Sequence, residues 1–172
     1  MTNKPKRVQC RIGDIFEVRN VDKNEYGYFQ FCALDYYQLN SDVIAVFEGL
    51  YDKPQEVETV VSKPIEFFTH TSVRYGVPEL WQKIGKAAIV DTNGVVFKGI
   101  EEKLEDDIDK DYTDHWHIWR LGEEKIKFIG KLSKVPDNAE IGLIYPPDDI
   151  PNRIFNGKYD WGDEDSYWGA EH

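Results

Sequence analysis

The stretch that most constrains the fold runs from Arg11 to Phe31. Ile12, Asp14, Phe16 and Val18 fall on one side of a period-two ladder, with Ile15 and Glu17 on the other. The polar run Asn20, Asp22, Lys23, Asn24 breaks the ladder. Beyond it, Tyr26, Tyr28 and Gln30 alternate with Gly27, Phe29 and Phe31. Two β-branched or aromatic runs joined by a polar connection predict an antiparallel hairpin. Gly13 and Gly27 mark places where backbone bends or a neighbour passes closely.

Other segments extend the β pattern. Val43 to Phe47 is apolar on both faces, as expected of a strand that is central or covered by a second layer. Residues 64 to 73 alternate Ile65, Phe67 and Thr69 with Glu66, Phe68 and His70. Ala87 to Val90 and Val95 to Lys98 flank Asn93-Gly94, a pair suited to the positive φ of a tight hairpin. His115 to Leu121 and Lys125 to Ile129 predict a further hairpin around Gly122. Helix is expected in two short places. Val57, Val60 and Val61 share a helical face after Pro54, and Asp137 to Leu143 opens on a capping signal. The Tyr145-Pro146-Pro147 run is expected to end regular structure. The fold class predicted is mainly β (α+β with one or two short helices): a strongly bent antiparallel sheet or small SH3-like partial barrel. One domain over residues 1–172 is expected, with an irregular, acidic and aromatic tail over 146–172.

Gly13-Asp14-Ile15-Phe16-Glu17-Val18, a short polar gap and Tyr26-Gly27-Tyr28-Phe29 resemble the opening of the immunity protein 26 family. The resemblance continues through Gln55 to Val61, Pro64-Ile65-Glu66-Phe67-Phe68 and Trp81-Gln82-Lys83-Ile84-Gly85, and fades after Gly99. It implies a predicted immunity partner of a bacterial polymorphic toxin, a protein that binds and occludes and is not an enzyme.

Charge is compatible with that implication. The 172 residues carry a formal net charge of -11, which repels a phosphate backbone and argues against direct nucleic-acid binding. The same field would attract a basic partner, such as a nuclease toxin. Acidity also keeps a protein soluble, so charge alone does not choose between these readings. No apolar run reaches a membrane span, and no h-region follows the basic start, so a cytoplasmic location and no membrane are expected. In a reducing cytoplasm Cys10 and Cys32 are expected as thiols.

The strongest candidate partner surface is the acidic run 101–114, with Glu105, Asp106, Asp107, Asp109, Asp111, Tyr112 and Asp114, ending beside Trp116. Aromatics among carboxylates suit a surface that grips Arg and Lys. A solvated loop explains the same composition. His115 and His117 would point the same way on a strand and could begin a metal site, but no further ligand is identified, so no metal or cofactor is expected. Gly-x-Ser-x-Gly and phosphate-binding glycine motifs are absent from the sequence. An alternative is a small-molecule or carbohydrate binding module built on Tyr26, Tyr28, Tyr36 and Tyr37. The expected partner is a cognate toxin domain, and the chain itself is expected to be a monomer or weak dimer.

Overall fold

The computed structural model describes residues 9–100 and 115–159. The predicted hairpin is present as β1 (Asp14–Asn20) and β2 (Glu25–Asp35), paired from Ile15↔Gln30 to Asn20↔Glu25. Asn24, at φ 52°, supplies the left-handed residue that this tight turn needs. β3 (Ser41–Phe47) lies between β2 and β4 (Ile65–Thr71), and β5 (Trp81–Lys86) pairs with the far side of β1. The order of this first sheet is β4-β3-β2-β1-β5. The doubly apolar Val43–Phe47 run is therefore interior, as its pattern predicts.

The second sheet contains β6 (Val96–Ile100), β7 (Trp116–Arg120), β8 (Ile126–Gly130) and the short β9 (Glu140–Ile141), in the order β8-β7-β6-β9. β9 runs parallel to β6, and the other pairings are antiparallel. The protein is mainly β, as expected. It is not a closed barrel, because β4 and β5 end the first sheet on opposite sides and a separate second sheet packs against it.

Both faces of the first sheet are buried. Phe16, Val18, Phe29, Ile44, Val46 and Phe67 pack on one face with Trp81, Ile150 and Ile154. On the opposite face, Val43 and Ala45 meet Phe97 and Trp119 of the second sheet, while Ile15, Tyr28 and Phe47 meet Val60 of α1 (Val57–Val61). The second sheet's outer face is closed by Val135 and Ala139 against Val96 and Trp116.

Several expectations are corrected. Pro54 lies outside α1, whose N-cap is Glu56. Ala87 to Val90 is not a strand: the Gln30 side chain donates to the Ala88 carbonyl and accepts from the Val90 amide, tying that backbone to the sheet's side chains. The Asn93-Gly94 turn forms, with Gly94 at φ 82°, but it leads into the second sheet instead of closing a hairpin. Residues 137–143 carry β9 where a helix was expected, because the Glu140–Ile141 backbone is taken up by β6.

The 146–172 segment is not wholly irregular either. Its described part contains α2 (Asp149–Asn156), which begins just past Pro146-Pro147 and ends on Gly157 in the left-handed conformation. Ile150 and Ile154, one helical turn apart, face the first sheet and are buried. Each such burial contributes about 1.5–3 kcal/mol. Gly27 accommodates this contact, since a Cβ there would collide with Ile154.

Candidate functional site

The most distinctive polar cluster lies where the two sheets meet. Asp35 ends β2, His70 lies near the end of β4, and Trp119 lies on β7 of the other sheet. Asp35 Oδ2 accepts from the Trp119 indole Nε1–H at 3.0 Å and pairs with His70 Nε2 at 3.0 Å. Its other oxygen accepts the Gln38 amide at 3.2 Å. Asp35 and His70 are both 0% exposed. The His70 ring also lies 4.1 Å from the Phe97 ring centroid, and its Nδ1 is buried without a hydrogen-bond partner. Burial pushes the His70 pKa below its usual value, against the opposing pull of Asp35. The imidazole is therefore neutral near pH 7 and donates through Nε2–H. A carboxylate–imidazole pair sealed in this way admits no substrate. It joins the sheets.

A second knot fastens α2. Arg153 donates to Tyr159 Oη at 2.8 Å and to Glu140 at 3.0 Å, with its guanidinium 3.8 Å from the Phe67 ring centroid. Tyr159 donates in turn to Thr69 Oγ1 at 2.7 Å and stacks on Tyr145. Burial pushes the Tyr159 hydroxyl pKa up to about 12. Tyr159 is thus a core residue.

Beside Glu140 of the second knot a cleft of about 460 Å³ opens at the seam. One wall is the outer edge of β4. The others are the 91–95 turn and the 137–140 segment, so both sheets contribute. Glu66, Asp91, Asp137 and Glu140 line it together with Phe67 and Phe68, and among the described residues no Lys, Arg or His does so. Glu140 is engaged by Arg153, whereas Glu66, Asp91 and Asp137 are exposed. Carboxylates beside aromatic residues suit a Lys or Arg, whose aliphatic stem packs while its charged head is met by the acids.

The sequence candidates divide differently. Glu105, Asp106, Asp107, Asp109, Asp111, Tyr112 and Asp114 lie outside the described residues. Trp116 is described, and it is not on a partner surface: it is 1% exposed and packs with Val96, Val135 and Ala139. The second sheet is covered on that face, so the residue beside the acidic run is part of the core. His117 stacks on Trp119 at 5.8 Å, and His70 is committed to Asp35. No group of three or more His, Cys, Asp or Glu that could hold a metal occurs among the described residues.

The proposed tyrosine platform is largely filled. Tyr26 and Tyr28 are 7% and 1% exposed, and Tyr28 Oη donates to Glu17 and accepts the Gln55 amide. Only Tyr36 and Tyr37 of that set are open, on the β2–β3 turn. Cys10 and Cys32 are free thiols, and burial pushes the Cys32 pKa up to about 12. No described helix is long and apolar enough to cross a membrane.

The seam cleft was missed in sequence because its acids come from three separate segments. The β4 alternation, Asn93-Gly94 and the signal at Asp137 each marked one part of it, and nothing local joined them. Comparison with protein-family models, curated proteins and solved structures returned no match.

Proposed function

We propose that the chain is a cytoplasmic immunity protein that binds a cognate bacterial toxin domain and blocks its active site or substrate groove, doing no chemistry itself. The observation that carries this reading is the seam cleft, lined by three exposed carboxylates together with Phe67 and Phe68 and by no cation among the described residues. The resemblance of residues 13–29 to the immunity protein 26 family and the net charge of -11 support it. A basic toxin face would be drawn to this surface by the long-range field and held by a few desolvated anchors.

The test begins with the full chain as bait for a polypeptide carrying a C-terminal toxin domain, followed by co-expression of that domain with and without the chain. Wild type should restore growth. Glu66→Lys with Asp137→Lys should slow association at least about tenfold at low salt and leave the melting temperature nearly unchanged, because both sites are exposed. Equal protection by wild type and the double variant removes the cleft from the interface. Reversing Asp106, Asp107 and Asp109 then tests the acidic run instead. Toxicity unaffected by the wild-type chain refutes the function itself.

A further inference from the structure

The outer edge of the second sheet has the chemistry of a peptide-docking site. β8 pairs with β7 and with no other strand among the described residues. Its neighbours in the sheet define two rows on one face. Phe97, Trp119 and Ile126 form one row, and Gly99, His117 and Phe128 the other. Exposure along the first row rises from 0% at Phe97 through 4% at Trp119 to 52% at Ile126, and Phe128 is 59% exposed. The first sheet covers the inner strands and leaves the last one bare.

Charge is also unusual here. Lys125 to Lys134 contains four lysines and no acid, within a chain whose net charge is -11. Lys125, Lys127, Lys131 and Lys134 are all exposed.

We propose that β8 is a strand-addition site for an extended, acidic segment of a partner protein with apolar residues at alternate positions. This edge, unpaired among the described residues, offers backbone N–H and C=O groups that another polypeptide strand can satisfy and a phosphate backbone cannot. Ile126 and Phe128 would receive the alternate apolar side chains, and the lysines would meet the acidic ones. A second copy of this chain fits poorly. Antiparallel self-pairing would bring the lysines of two β8 strands together, and like charges opposite one another disfavour a ladder. The surface is separate from the seam cleft, whose lining contains no β8 residue.

The probe is a capped heptapeptide alternating Glu and Val, titrated into the isotope-labelled full chain and followed by amide NMR shifts. Saturable shifts confined to residues 116–130 are expected. Lys125→Glu with Lys127→Glu should weaken binding at least about tenfold while leaving the melting temperature nearly unchanged. N-methylation of alternate peptide amides, which removes ladder donors but keeps charge, should abolish binding and needs no protein variant. Four results overturn the proposal. They are absence of shifts, equal binding of the N-methylated peptide, equal binding of a polyglutamate or thymidine oligonucleotide of matched charge, and concentration-dependent dimerisation that Phe128→Asp abolishes. The third would reduce β8 to an electrostatic patch, and the last would assign it to a second copy.

Discussion

Asp35→Ala tests the join between the sheets most directly. The substitution strips the acceptor from the Trp119 indole and the His70 imidazole, side chains that the fold buries almost completely. A buried donor left unsatisfied costs about 1–3 kcal/mol, so the two together cost about 2–6 kcal/mol. The Gln38 amide is less enclosed and can turn to water. Removing the buried carboxylate also returns part of its own desolvation cost, which favours the lower half of that range, about 3 kcal/mol. For a chain of this size that is a fall in melting temperature of about 6–12 °C. Urea unfolding followed by tryptophan fluorescence measures it. Trp119→Phe, which removes one donor and leaves Asp35 still accepting from His70, should cost less, about 1–2 kcal/mol. The double variant should fall short of the sum, because both changes break the same bond. An Asp35→Ala cost below about 1 kcal/mol, or strict additivity with Trp119→Phe, would refute the reasoning that this carboxylate holds the sheets together.

The same cluster predicts a pH dependence. The His70 pKa is depressed in the folded state, so the unfolded chain takes up this proton first. Its contribution to stability is therefore complete above about pH 6.5 and declines as pH falls from there towards the depressed value. Urea midpoints across that window should fall with acidification, and His70→Gln should flatten the slope. On the opposite face, Arg153→Met should cost about 2–3 kcal/mol, because it removes charge-assisted bonds to Glu140 and Tyr159 but keeps apolar cover over Phe67. Denaturation should then show weakened docking of α2, read as faster amide exchange at Ile150 and Ile154.

The local signals were legible wherever one residue's neighbours in sequence are also its neighbours in space. The β1–β2 hairpin, the interior character of β3, and β7 returning through Gly122 into β8 all follow from period-two alternation and a turn residue. Pairing across distance was not legible. β5 joins β1 from 63 to 72 residues away, and nothing local distinguishes Trp81–Lys86 as a strand from Ala87–Val90 as a connection. The decision rests on the Gln30 side chain, which holds the latter segment by hydrogen bonds from another strand. Trp116 misled for a related reason. Alternation assigns faces but not solvent, and here both faces of β6 and β7 are covered. The α2 helix was legible in principle: Ile150 and Ile154 are spaced by four and Gly157 follows as a terminator. Pro146-Pro147 obscured it, although prolines before a helix are as natural as prolines ending one.

The candidate site was hidden more deeply than the fold, and the same geometry explains why. The seam cleft exists only because two sheets are held at one separation. Its walls come from β4 on one side and the 91–95 and 137–140 segments on the other. The two knots that fasten the sheets are themselves assembled from distant residues. Asp35, His70 and Trp119 fasten β2 and β4 to β7, while Glu140, Arg153, Tyr159 and Thr69 fasten β9 and α2 to β4. Both knots meet on β4, the strand whose Glu66, Phe67 and Phe68 line the cleft. The buried charges therefore do more than satisfy one another. They fix the strand that forms the cleft's wall, so the proposed partner would meet a wall already in place, with less ordering entropy to overcome on binding.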